Sequence, residues 1–153
     1  MPRMRGSLAF VVLLGCATER APPDSSACVQ TVELVGSTDA TATNVGPWSV
    51  DSNGIDICMH LDATPLVHGH FAAATQYTLG TVSGFDTVLL DADGTTLQTG
   101  WDVSVGTTNA MTFADLEWDM PGGTTRDTIL HVSTPAIVAY PMLSLSLIEP
   151  LED

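Results

Sequence analysis

One cysteine and three histidines recur at every second position in two neighbouring segments of the chain. Cys58 and His60 stand in the first segment, and His68 and His70 in the second. If a turn over 62–65 joins two antiparallel strands, all four side chains fall on one sheet face, because side chains alternate between faces with period two. Imidazole and thiolate ligands select zinc or copper. The pattern therefore indicates a candidate zinc or copper site. The alternative is that Cys58 forms a disulfide bond and is not a ligand.

A second candidate site is the acidic loop in which Asp91 and Asp93 precede Gly94. Carboxylate oxygens are the ligands that Ca²⁺ prefers, but an EF-hand loop also needs an oxygen ligand at its fifth position, where Thr95 stands, and a distal glutamate. The alternation of Asp with a glycine is equally typical of a hairpin turn. We expect a hairpin here, with Ca²⁺ binding by Asp91 and Asp93 as the alternative.

The three tryptophans are the third candidate. Trp48, Trp101 and Trp118 could form a platform for a glycan or a peptide if their rings are exposed beside carboxylates. In a small β-sandwich, however, tryptophan more often fills the core. Both interpretations remain open at the level of the sequence.

No motif in the chain indicates catalysis. The sequence has no Gly-x-Ser-x-Gly elbow, no His-Glu-x-x-His pair and no glycine-rich phosphate loop. It also has no lysine, so Schiff-base chemistry and amine nucleophiles are excluded. We expect a protein that is not an enzyme, and a hydrolase with an unrecognised site remains the alternative.

The elements that would position these residues are short strands. Runs rich in β-branched and aromatic residues recur about every 8 to 12 residues between Gly, Asp, Asn and Pro clusters, as in all-β sandwiches and barrels. The predicted strands cover 29–35, 48–50, 55–61, 66–73, 76–82, 85–90, 95–99, 101–105, 110–118, 128–133 and 143–148. A helix over 110–118 is the one competing assignment.

The first 16 residues resemble the signal of a bacterial lipoprotein. A basic start with Arg3 and Arg5 is followed by an apolar stretch over 8–14, then Gly15 and Cys16. The resemblance implies cleavage before Cys16, a diacylglyceryl thioether on its sulfur and acylation of the new amine. Two or more acyl chains anchor a protein stably. The alternative is ordinary secretion, with Cys16 discarded.

This leader sets the expected domain organisation. Residues 1–15 are the signal peptide, 16–27 a small, polar and proline-interrupted tether, and 28–153 a single domain. If Cys16 carries lipid, Cys28 and Cys58 remain as an even pair in an oxidising compartment. We therefore expect a disulfide bond between them.

Net charge restricts the partners. After removal of 1–15, Arg20 and Arg126 face 18 Asp and Glu, which gives a charge of −16. Such a surface repels nucleic acid and anionic headgroups, so membrane contact is expected through the lipid anchor alone. The acidity is equally suited to attracting divalent cations or to keeping the protein soluble in a saline habitat. Position 17, directly after Cys16, is Ala and not Asp. In the sorting rule of enteric bacteria, Asp at this position retains a lipoprotein at the inner membrane, so Ala17 favours the outer membrane.

The order of the predicted strands is similar to that of the bacterial pre-peptidase C-terminal domain. The resemblance rests on segments 54–59, 77–81 and 84–97, above all on the stretch FDTVLLDADGTTL, and covers about residues 46–148. It implies a small, jelly-roll-like antiparallel β-sandwich. Members of that family are auxiliary modules in secretion, folding or substrate contact, and some bind calcium.

These observations combine into one expected function. The chain is expected to be a non-catalytic lipoprotein of the bacterial envelope, whose β-sandwich binds an envelope protein or a glycan in the periplasm or on the cell surface. No cofactor is expected other than a possible Ca²⁺. A module that binds divalent cations is the principal alternative.

Overall fold

Nine strands in the described part of the chain form two sheets. A computed structural model describes residues 27–76, 84–102, 115–135 and 138–151, and the strands belong to these ranges. They are β1 (Gln30–Val35), β2 (Thr43–Val45), β3 (Ile55–Asp62), β4 (His68–Gln76), β5 (Phe85–Asp91), β6 (Thr96–Asp102), β7 (Asp115–Pro121), β8 (Thr125–Ser133) and β9 (Met142–Ile148). The five-stranded sheet has the order β1-β3-β8-β5-β6, and the four-stranded sheet has the order β2-β9-β4-β7.

The predicted all-β sandwich is confirmed, and the strand order is that of a jelly roll. Strands β2 to β9 form two four-stranded halves, β3-β8-β5-β6 and β2-β9-β4-β7, whose pairs are all antiparallel. One strand pair in the described part of the chain departs from this antiparallel pattern. Strand β1 adds to the edge of β3 in parallel, because the chain crosses to the other sheet and forms β2 before it returns.

Side-chain alternation builds the core between the sheets. In β3 the inward Ile57, Met59 and Leu61 are buried, and the intervening residues face outward. In β9 the leucines of the predicted Leu-Ser alternation are buried in the same way, at 143, 145 and 147. Burial of these apolar side chains is the main stabilising contribution to such a sandwich.

The predicted hairpin between 55–61 and 66–73 is wrong, because β3 and β4 belong to different sheets. Ala63 and Leu66 of the connection are themselves buried, so the chain crosses the end of the core instead of turning back. Ala63 exchanges backbone hydrogen bonds with Gly123 and Thr124 of the β7–β8 turn, which makes the opposite crossing. At Gly122 a Cβ atom would lie 2.2 Å from the backbone oxygen of Leu66, so only glycine permits this close approach.

The remaining strand predictions are confirmed in part. The segments 95–99 and 101–105 contribute to one strand, β6, and the described end of 110–118 belongs to strand β7 instead of a helix. Val50 forms only an isolated bridge with Ala139, and β2 was not predicted. The predicted strand over 76–82 lies outside the described residues from 77 onward. In the described part of the chain, no helix is long and apolar enough to cross a membrane.

The predicted disulfide bond between Cys28 and Cys58 is confirmed. It joins the residue that precedes the bend into β1 to the middle of β3, with 5.7 Å between the Cα atoms. Its two residues are 30 positions apart, so the closed loop includes all of β1 and β2. The bond therefore fixes the edge strand β1 to the sheet covalently.

Replacing both cysteines with alanine should lower the free energy of unfolding by about 3.5 kcal/mol, because the unfolded chain regains the entropy of an open loop. Urea unfolding under non-reducing conditions, followed by tryptophan fluorescence, measures the change. Reduction of the unaltered protein should produce the same loss. Equal urea midpoints for the double variant and the disulfide-bonded protein would contradict this account.

Candidate functional site

The outer face of the five-stranded sheet carries two of the residues that the sequence singled out, Cys58 and His60. Because β3 turns its apolar side chains inward, Asp56, Cys58 and His60 all face outward. On one side they lie beside β1 and on the other beside β8. The register of these three strands therefore decides which groups meet on this face.

His60 lies at the centre of a row of charges that crosses three strands. It is directly opposite Glu33 of β1 and directly opposite Asp127 of β8. Its Nδ1–H donates to Oδ1 of Asp127 over 2.6 Å. This hydrogen bond raises the pKa of His60 above its ordinary value, and the carboxylates of Glu33 and Asp62 contribute in the same direction. The row therefore favours an imidazolium between two carboxylates.

Two further histidines form the same kind of cross-strand pair. His131 lies opposite Asp56 on the same sheet, and His70 lies opposite Asp119 on the other sheet. In each pair Nδ1 of the imidazole is 2.7 Å from Oδ1 of the carboxylate. His70 also has Glu117 at 3.9 Å from its Nε2. Each of these imidazoles is thus oriented by an aspartate on the neighbouring strand.

The structure does not bring the predicted zinc or copper ligands together. His60 and Cys58 lie on β3, whereas His68 and His70 lie on β4 in the other sheet. Cys58 is bonded to Cys28, so it supplies no thiolate. Among the described residues, no three His, Cys, Asp or Glu side chains form a group that could hold a metal ion. The predicted cluster is therefore wrong, for the same reason that the hairpin is wrong.

A shallow depression of about 480 Å³ lies on this outer face. Its lining combines apolar surface with hydrogen-bonding groups and includes Thr31, Cys58, His60, Ala92, Asp127 and Ile129. It extends from β1 across β3 and β8 to the β5–β6 turn. Side chains of both kinds in an open depression suit a peptide or a glycan more than a buried cofactor.

Asp91 forms an ion pair with Arg126 where β5 ends and β8 begins. Nε and Nη2 of Arg126 donate to Oδ1 and Oδ2 of Asp91 over 3.2 and 2.7 Å. These hydrogen bonds lower the pKa of Asp91 and raise the pKa of Arg126. The guanidinium also lies over the ring of Trp118, 5.4 Å from its centroid, so the three side chains link the two sheets.

Asp93 shapes the turn between β5 and β6. Its Oδ1 accepts a hydrogen bond from the backbone N–H of Thr95, and Thr95 lowers the pKa of Asp93. Gly94 follows with φ at +86°, a conformation that glycine adopts without strain. The predicted hairpin is confirmed. Both proposed Ca²⁺ ligands thus already have partners. Asp91 is paired with the Arg126 guanidinium, which would repel a cation, and Asp93 accepts a hydrogen bond within its own turn.

The tryptophans do not form one surface. Trp48 and Trp118 are partly buried and pack against the core. Trp118 lies on β7, at one edge of the four-stranded sheet, and Trp48 follows β2, at the opposite edge. The side chain of Trp101 lies outside what the structure describes. A shared platform built from Trp48 and Trp118 is therefore excluded by their separation.

A second groove, of about 510 Å³, lies at the end of the sandwich where β3 and β9 finish. It is lined by Thr38, Pro65, Val67, Glu149, Pro150 and Leu151. Both carboxylate oxygens of Glu149 accept backbone hydrogen bonds, from the N–H of Val67 and of His68. Glu149 thereby fixes the start of β4. The contribution of His68 to this contact comes from its backbone N–H.

Sequence reasoning missed the partners of the histidines. Asp119, Asp127 and His131 lie in segments that carry no motif, and each meets its partner only through the register of paired strands. Arg126 was noted for its charge alone. The sequence offered one signal for its ion pair. Arg126 is the single arginine of a strongly acidic domain, and such a residue is expected to pair with a carboxylate.

No protein-family model matches the chain, and no curated protein matches it. Among solved structures, the chain is similar to a segment of a β-glucosidase from Paenibacillus barengoltzii, with 16% identity, a TM-score of 0.41 and coverage of 84% of this chain and 12% of the glucosidase. It is also similar to the VP2 subviral particle of infectious bursal disease virus, with 17% identity, a TM-score of 0.38 and coverage of 74% and 34%. The chain therefore spans a small part of either protein, and neither similarity bears on function.

Asp127→Asn should lower the pKa of His60, because the amide removes the charge that stabilises the imidazolium. NMR titration of the His60 ring protons measures this directly. The same substitution on the other sheet, Asp119→Asn, should leave the pKa of His60 unchanged. Because the folded pKa is raised, the pair stabilises the fold fully below pH 6.5, and this contribution is lost as the pH rises through the folded pKa. An unshifted His60 titration in Asp127→Asn would contradict the assignment.

Asp91→Asn should lower the free energy of unfolding by about 1 kcal/mol at pH 7, because both partners of the ion pair remain partly exposed to water. The folded pKa of Asp91 is lowered, so its contribution is fully present above pH 3.8 and is lost as the pH falls from there through the folded pKa. Urea unfolding at several pH values tests this. Asp86→Asn, an exposed carboxylate of the same strand, is the matched control and should have a smaller effect. Additive effects of Asp91→Asn and Arg126→Met would show that the two groups do not interact.

Proposed function

We propose that this protein is a non-catalytic lipoprotein of the bacterial cell envelope and that its β-sandwich is an interaction module for an envelope protein or a glycan. In this proposal, residues 1–15 are the signal peptide and Cys16 carries the lipid. The segment 16–27 is the tether, and the domain lies in the periplasm or on the cell surface, with the outer membrane favoured.

The observation that carries the proposal is the disulfide bond between Cys28 and Cys58. Structural disulfides form and persist in oxidising compartments such as the bacterial periplasm, and they are rare in the cytosol. The bond uses two of the three cysteines and leaves Cys16, which stands in the lipoprotein-like signal. Export and lipidation therefore account for every cysteine of the chain.

The outer face of the five-stranded sheet supports the binding role. The depression there offers the Thr31 hydroxyl and the His60–Asp127 pair beside the apolar side chain of Ile129. A ligand seated in it would meet both apolar surface and hydrogen-bonding groups held in a fixed orientation. This combination is typical of surfaces that recognise peptides and glycans.

A test of the proposal compares the protein with Cys16→Ser in a bacterial host. We expect the unaltered protein to incorporate labelled palmitate and to fractionate with the membranes, and Cys16→Ser to do neither, because the thioether requires the Cys16 sulfur. The double variant Cys28→Ala with Cys58→Ala is the matched control, since it removes two cysteines and keeps the lipidation site. Palmitate in Cys16→Ser, or none in the unaltered protein, contradicts lipidation.

The same cells test the binding role through a photo-crosslinking residue. At Ala92, which is exposed in the depression, the crosslinker should join the protein to one discrete envelope partner or glycan. At Ser144, on the outer face of the other sheet, it should give little product. Equal yields from both positions, or none from Ala92, would contradict a binding role for the depression.

A further inference from the structure

Strand β1 leaves half of its backbone hydrogen-bonding groups directed away from the sheet. The N–H of Gly36 donates to the carbonyl oxygen of Asp62, so the even-numbered residues of β1 face β3. Because successive residues alternate, the N–H and C=O groups of Thr31, Glu33 and Val35 point toward the free edge. No described strand pairs with that edge.

The other edges of the sandwich are shorter or closed. Strands β6 and β7, at the edges of the two sheets on one side, contact each other, and the amide of Gln98 donates to the carbonyl oxygen of Glu117. Strand β2 has only three residues. Strand β1 has six, and it has neither proline nor a bulge, two of the features that protect an edge from further pairing.

The charges next to this edge define the partner. Across the sheet, Asp127, His60 and Glu33 form a row in which a raised-pKa imidazole lies between two carboxylates. The row ends at Glu33, which is exposed, so a side chain on an added strand would lie directly beside it. Opposite charges on adjacent strands stabilise pairing, whereas like charges oppose it. A lysine or arginine on the added strand would complete the alternation of charge.

One exposed apolar side chain of the same strand favours the same kind of contact. Val35 is 55% exposed, at the end of β1, and lies on the face that carries Glu33. An added strand would therefore meet an acidic position followed by an apolar one. A second copy of the chain fits this edge poorly, because it would bring another strongly acidic domain and another Glu33 to the contact.

We propose that β1 is a docking edge for an extended, cationic segment of a partner protein, which adds to the five-stranded sheet as a further strand. This inference rests on the proposed role of the domain as an interaction module. Main-chain hydrogen bonds to Thr31, Glu33 and Val35 would supply affinity, and the contact of a basic side chain with Glu33 would supply specificity.

The test uses the disulfide-bonded protein and a capped heptapeptide of alternating lysine and valine as the probe. Amide hydrogen exchange, followed by NMR, should show slower exchange at Thr31, Glu33 and Val35 when the peptide is added up to about 1 mM. Leu34, whose N–H faces β3, should change little. The corresponding glutamate–valine peptide should give no protection, because it places like charge beside Glu33.

Two variants at position 31 distinguish the contribution of the backbone N–H to peptide binding from that of the side chain. Thr31→Pro removes an N–H at the free edge, where proline is tolerated, and should weaken peptide binding about tenfold. Thr31→Ala keeps the N–H and should change binding less than about twofold. Native exchange protection in β3 confirms that each variant is folded. Equal binding by both variants, or no protection at the three edge amides, overturns the proposal.

Two further outcomes identify other occupants. Concentration-dependent dimerisation that protects the same amides without peptide would assign the edge to a second copy and overturn the cationic partner. If a crosslinker at Ala92 captures a partner while one at Val35 does not, the interaction module stands and the docking edge fails. If neither position captures anything, the interaction role fails with it.

Discussion

The antiparallel pairing of β3 with β8 is the constraint on which the rest of the molecule depends. Its register runs from Ile55 opposite Val132 to Asp62 opposite Thr125. Because side chains alternate, this one register directs three apolar residues of β3 into the core and places Cys58 and His60 on the outer face. A shift of one residue would reverse both faces, and it would remove the disulfide bond and the His60–Asp127 pair together.

Local features of the sequence were sufficient for the fold class and for several elements. Two of these elements, the Leu-Ser alternation of β9 and the Asp-Gly turn between β5 and β6, depend on residues that are close in sequence. The disulfide bond was predicted from the number of cysteines, because two remain once Cys16 is assigned to lipid. The connection between β3 and β4 could not be assigned in this way. Its turn-forming residues are compatible with a hairpin, and only the burial of Ala63 and Leu66 in the common core makes it a crossing between sheets.

The candidate site was predictable to the same limited extent. The sequence identified His60 and His70 as notable, but a metal cluster required them to share a sheet, and the sheet order separates them. Instead of a metal cluster, the structure contains separate pairs, in each of which a basic side chain lies beside a carboxylate. Three of the four histidines and Arg126 each lie beside an aspartate of a neighbouring strand. In so acidic a chain, these pairs reduce repulsion where strands meet, and their identity follows from register and cannot be read from local sequence.

The position of the disulfide bond also determines how the domain carries mechanical load. A force applied through the segment before Cys28 would otherwise act on β1, an edge strand held by hydrogen bonds to a single neighbour. Because Cys28 is bonded to Cys58, the pull passes covalently into the middle of β3, which is paired on both sides. The edge strand is thereby removed from the load path. Tension from the N-terminal side cannot peel β1 away, and its outer edge keeps its shape while the domain is pulled.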